Sequence, residues 1–135
     1  MQETDPIAER PLDLELDPLP ASVGAARREA GAVAERVGAD RSAVELAVSE
    51  AVGNAVLHAF PEGTSGTVGL SVETTPQAIV LTVSDDGVGM RPNPFGRGLG
   101  FGLPLIAQLA EEVEIMAREG GGTVLRMRFQ AAATA

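Results

Sequence analysis

Apolar and polar residues alternate over Leu12–Leu16 (LDLEL), the period-two pattern of a strand with one buried face. From Asp17 the period lengthens. Val23, Ala26, Ala30, Val33, Ala34 and Val37 recur at helical spacing, with Pro18, Pro20 and Ser22 as entry signals and Gly38 as a stop. A second helix follows, with Asp40 or Ser42 available as its cap and His58 near its end. PEGTSG breaks the pattern as a loop. TVGLSVET and AIVLTVSDD then read as two strands around TPQ, a hairpin. From Gly87 to Gly102 the chain is too rich in Gly and Pro for regular structure. LPLIAQLAEEV predicts a helix, opened by Leu103 with Pro104 tolerated in its first turn. VEIMARE and TVLRMRF flank GGG as a last hairpin, and QAAATA reads as a tail. The expected organisation is a flexible tail over 1–11, one domain over 12–129 and a second tail over 130–135. Helices and hairpins in this order predict an α+β protein. Its form would be a two-layer α/β sandwich, with helices on one face of a mostly antiparallel, mixed sheet.

Composition narrows the function. The chain has 135 residues, enough for one sizeable core. Aromatics are only 3%, with no Trp or Tyr, so Val, Leu, Ile, Ala and Met must build that core. The absence of Cys excludes disulfides and thiolate metal sites and points to a reducing compartment. The N-terminus is acidic and polar, without an apolar signal core, and no run of about 18 apolar residues occurs. The expectation is a cytoplasmic protein without membrane contact. A net charge of −9 argues against direct binding of nucleic acid. All ten basic residues are Arg, so a phosphate-binding loop that needs a lysine is excluded.

Three stretches carry candidate chemistry. In SEAVGNAVLHA, Glu50 and Asn54 sit four apart and share one helix face. They could be polar positions on a solvent face. Alternatively, a carboxylate able to accept a proton lies beside an amide oxygen able to ligate a hard cation. The surrounding Ala47, Val48, Ala51, Val52, Ala55 and Val56 leave little polar face for the first reading. SDDGVGM follows a strand and could be a simple turn. It could also be a site in which Gly87 and Gly89 let main chain approach a ligand, with a carboxylate accepting from a neutral donor such as a base amine. In GRGLGFGLPLI, Gly96, Gly98, Gly100 and Gly102 alternate straight into a helix, an arrangement of bare amides suited to an anion. Arg97 lies within it and Arg91 nearby. A flexible linker would not interleave Leu99, Phe101 and Leu103. The dinucleotide pattern GxGxxG fails, because its third glycine would fall on Leu103 or Leu105. His58 is the only histidine and reads as a local hydrogen-bonding group near a helix end. Thr123 on its own is a strand residue of good propensity.

The order of these pieces resembles the GHKL superfamily of ATP-binding domains, with the histidine-kinase-like ATPase (Bergerat) fold. The pieces are an E-x-x-x-N helix, D-x-G-x-G after a strand, a G-x-G-x-G loop opening a helix, and a Gly-Thr strand. The likeness spans Leu12 to Phe129. Within the superfamily, the single short domain and AVSEAVGNAVLHA look most like the anti-sigma-factor serine-protein kinases of bacterial partner-switching systems. The resemblance implies ATP and Mg²⁺ as cofactors. It makes Glu50 the general base, Asn54 the Mg²⁺ ligand, and Asp85 the reader of the adenine amine in a pocket shaped by Gly87 and Gly89. Gly98, Gly100 and Gly102 match the phosphate loop, with Arg97 and Leu103 flanking it. Thr123 matches the residue that helps hold the adenine-reading aspartate, through water. Implied partners are a sigma factor and an anti-sigma-factor antagonist protein, with a homodimer expected by analogy. The alternatives are a non-catalytic ATP-binding sequestration module and an ATP hydrolase. One departure is Gly53, where this family often carries threonine.

Overall fold

The computed structural model describes residues 9–60, 66–87 and 103–132, with Leu103 by its main chain only. The elements run β1 (Glu9–Leu16), α1 (Pro20–Arg36), α2 (Arg41–His58), β2 (Val68–Thr74), β3 (Ala78–Asp85), α3 (Leu103–Leu109), β4 (Glu112–Ala117) and β5 (Thr123–Gln130). The strands form one sheet in the order β1-β2-β3-β5-β4. Every pairing is antiparallel, so the mixed character expected of the sheet is absent among the described residues.

The two helix junctions follow from local chemistry. Gly38, at φ 76°, ends α1 in the left-handed conformation, and the Ala39 N–H then reaches back to the Ala34 carbonyl at 2.9 Å. Asp40 caps α2 by accepting the Ala43 N–H at 3.1 Å. Between the helices, Gly31 leaves room for Glu45, which pairs with Arg41 at 2.9 Å.

Alternation sorts the sheet into two faces. Leu70 pairs with Val83, Val72 with Leu81, Ile79 with Phe129 and Leu81 with Met127, so the apolar residues of neighbouring strands stack on one side. Leu12, Leu14 and Leu16 of β1 and Val113 and Ile115 of β4 extend that side to both edges. Helices α1 and α2 cover it with Ala26, Ala30, Val33, Ala34, Val44, Ala47, Val48, Ala51, Val52 and Ala55, all buried. Small residues on the helices face large ones on the sheet, which fills a core that has few aromatics.

Three boundaries differ from the periodicity reading. The first strand starts at Glu9, inside the expected tail, because Glu9 pairs with Thr74 across a register shift that takes up Pro11. Arg10 adds an exposed ion pair with Glu73. The last strand includes Gln130, and the Ala131 and Ala132 N–H groups donate to the Gln77 and Gly38 carbonyls. Helix α3 stops at Leu109 instead of continuing to Val113. The chain instead enters the ladder with β5, where Val113 and Ile115 pair with Met127 and Leu125 and pack on the core, and the Glu111 N–H bonds the Arg128 carbonyl.

Candidate functional site

Among the described residues four polar side chains are buried: Asn54, Thr74, Asp85 and Thr123. Three of them are site residues expected from sequence. A buried polar group without compensation costs on the order of 1–3 kcal/mol, so each needs a reason.

Asp85 ends β3 and stands opposite Thr123, the first residue of β5. It is only 2% exposed. Burial pushes its carboxyl above the ordinary aspartate range, and the neighbouring Asp86 charge adds to this. The opposing influences are the Gly87 N–H, donated to Oδ1 at 3.0 Å, the Arg118 charge and the Thr123 N–H. Thr123 therefore serves Asp85 through its main chain. Beyond the Gly87 and Thr123 amides the carboxyl keeps lone pairs that can accept from a further N–H donor.

Two glycines make this end of the sandwich possible. A Cβ on Gly87 would lie 2.1 Å from the Ala59 carbonyl oxygen, so the turn after Asp85 packs directly on the end of α2. Gly122, at φ 105°, brings β5 so close that a Cβ there would lie 1.9 Å from the Asp85 carbonyl oxygen. The tertiary fold thus joins the end of α2 to the β3–β5 corner.

On α2, Asn54 is buried, and its amide Nδ2 has no hydrogen-bond partner among the described residues. Glu50 is half-buried one turn earlier, about 6 Å along the axis, and no described residue pairs with it. An orphaned amide beside a carboxylate fits a ligand that brings acceptors, such as phosphate oxygens. Rotation about χ2 exchanges the amide ends, so the same side chain can present its oxygen to a hard cation. No group of three or more His, Cys, Asp or Glu that could hold a metal occurs among the described residues. Mg²⁺ tolerates this, because it keeps several waters and takes ligands from phosphates. Gly53, between these two residues, has nothing within 4 Å of a Cβ among the described residues, so none of them requires a glycine there.

Gly89, Arg91, Arg97, Gly98, Gly100 and Gly102 lie outside the described residues, as does the side chain of Leu103. His58 is exposed in the last turn of α2. The motif reading passed over Asp86, whose carboxylate bonds Thr67 twice. The signal was a threonine just before β2, recognisable only once the strand register is known. No helix of the described residues is long and apolar enough to cross a membrane.

Residues 16–129 match the family described as the histidine kinase-like ATPase domain. The chain is 32% identical over 96 residues to the anti-sigma F factor of Pasteuria penetrans, covering 62% of this chain and 64% of that one. It is 30% identical over 95 residues to the anti-sigma F factor of Bacillus cytotoxicus and 27% to that of Bacillus mycoides, each covering 62% of this chain and 65% of the relative. The matched region spans just under two thirds of the length of these relatives. With the family match running from the end of β1 to Phe129 of β5, and an antiparallel sheet backed by helices beneath it, this chain belongs to the histidine kinase-like ATPase domain family.

Proposed function

We propose that this protein is an ATP- and Mg²⁺-dependent protein serine/threonine kinase and anti-sigma factor. It would phosphorylate an anti-sigma-factor antagonist and sequester a sigma factor, acting as a cytoplasmic homodimer with its catalytic domain over residues 12–129. The observation that carries the reading is the buried polar set at one end of the sandwich: the Asn54 amide, unpartnered among the described residues and one helical turn from Glu50, and the buried Asp85 carboxyl at the corner that packs on the same helix. The names of the similar proteins support the sigma-factor partner.

Bound Mg-ATP would supply the γ-phosphoryl group and the neutralisation of its charge. The chain's own residues divide the remaining work. Asp85, with Gly87 and Gly89, accepts from the adenine amine, and Thr123 steadies Asp85. Asn54 would hold the cation. By their match to the phosphate-loop motif, Gly98, Gly100 and Gly102, with Arg97 and Leu103 beside them in sequence, would bind the phosphates. The Glu50 carboxylate accepts the proton of an incoming Ser or Thr hydroxyl.

The test is incubation with Mg-ATP and the candidate antagonist proteins encoded nearby, followed by phosphosite mass spectrometry. Transfer to Ser or Thr that disappears in Glu50→Ala, while nucleotide binding persists, is the expected result. A partner that binds but is never phosphorylated would overturn the kinase assignment and leave sequestration alone.

A further inference from the structure

The turn after β3 contains a second carboxylate that the proposed chemistry does not use. In the β2–β3 ladder Asp85 faces Val68, so the next rung would join Asp86 to Thr67. A side chain takes the place of that rung. Asp86 Oδ1 accepts the Thr67 N–H at 2.9 Å, and Oδ2 accepts the Thr67 hydroxyl at 3.3 Å. Both carboxylate oxygens are thereby committed to the residue just before the neighbouring strand. The fit around them is close: a Cβ on Gly66 would fall 2.3 Å from Asp86 Oδ1 and 2.4 Å from Phe60 Cε1.

The segment Asp85–Gly87 is gripped on three sides. The end of α2 meets Gly87, the start of β5 meets Asp85 through Gly122, and the approach to β2 meets Asp86. Two of these grips set main chain against glycine, and at the β5 side the Thr123 N–H also bonds the Asp85 carboxyl. The third is a second carboxylate that places both its oxygens on one residue. A carboxylate there is also a poor choice for Asp85, whose own ionisation it disfavours. What Asp86 does here is read from what it holds, the N–H and hydroxyl of Thr67.

We propose that Asp86 is a positioning residue: by tying the turn after β3 to Thr67 it fixes the direction of the Asp85 carboxylate, and so sets how sharply the site distinguishes an amino-bearing purine from an oxo-bearing one. This rests on the reading of Asp85 as the base-reading group. A carboxylate aimed at the exocyclic amine of adenine accepts a hydrogen bond, and the same carboxylate repels the carbonyl oxygen that guanine presents there. A loosened turn blunts both effects together.

The experiment measures ATP and GTP dissociation constants by calorimetry on the full chain, with circular dichroism to establish folding. Asp86→Ala is expected to narrow the preference for ATP over GTP about tenfold, the loss of two bonds to a charged acceptor. Asp86→Asn, which keeps an acceptor for the Thr67 N–H, should restore it to within about threefold. Thr67→Val removes only the hydroxyl bond and should narrow the preference about threefold. A folded Asp86→Ala with the wild-type preference overturns the proposal, even if its melting temperature falls. Should Asp86→Ala not fold, an unchanged preference in Thr67→Val overturns it instead. Asp85→Ala separates the two layers. If it leaves the preference intact, the reading of Asp85 fails and takes this proposal with it. If it abolishes the preference while Asp86→Ala does not, only the role of Asp86 fails.

Discussion

Glycine within a helix costs about 1 kcal/mol relative to alanine, because its backbone has more freedom to lose. Gly53 carries that cost in the interior of α2, between Glu50 and Asn54. Two structural needs commonly justify such a glycine, a left-handed φ or a neighbour too close for a Cβ. Neither applies: Gly53 is not among the positive-φ residues, and a Cβ built on it meets nothing within 4 Å among the described residues. Gly53→Ala should therefore recover the whole propensity term, about 1 kcal/mol, or roughly 4 °C in Tm for a chain of this size. Gly31 is the internal control. It is also helical, but a Cβ there would lie 2.4 Å from Glu45 Oε2 and 2.8 Å from Glu45 Cγ. Displacing Glu45 from Arg41 offsets the same propensity gain, so Gly31→Ala should show no stabilisation. Thermal melts by far-UV circular dichroism, with urea titrations that check for an unchanged m-value, read both variants. A Gly53→Ala protein that melts no higher than wild type, or no higher than Gly31→Ala, refutes the reasoning.

Gly122→Ala should destabilise by about 2–4 kcal/mol, since the residue would need a positive φ and would clash with the Asp85 carbonyl; a urea midpoint within error of wild type would contradict this. Asp85→Asn tests the buried carboxyl. Burial raises the folded pKa, so the folded state holds its proton more tightly than the unfolded chain. The stability contributed by Asp85 is thus present below the unfolded value of about 4 and is lost as pH rises through the raised folded value. The stability gain of Asp85→Asn over wild type should be larger at neutral pH than in acid. ATP affinity should fall in the same variant. An equal stability difference at both pH values, or unchanged affinity, would contradict the assignment.

The α+β layout was legible because period is a local property. Cβ atoms alternate along a strand and recur every three to four residues on a helix, so β2, β3 and β5, with α1 and α2, could be traced from spacing alone. Asp40 and Gly38 marked the junction between helices for the same local reason. Val113 satisfied both a helical and an alternating pattern, and only burial against Met127 decided between them. Glu9 and Arg10 sit on an edge, where strand pairing requires no apolar alternation to reveal it.

The candidate site divides along the same line. Glu50 and Asn54 share a face by helix geometry, and Asp85 and Gly87 share a turn by sequence proximity, so residue order alone determined both pairs. Sequence could not show that Asn54 is buried with an amide unpartnered among the described residues, that Asp85 meets the Thr123 N–H, or that Gly122 must be glycine. Nor could it join Asp86 to Thr67. Each of those facts depends on which strand lies beside which, in which register. That choice is made by the whole apolar face closing at once, and no short window of sequence contains it.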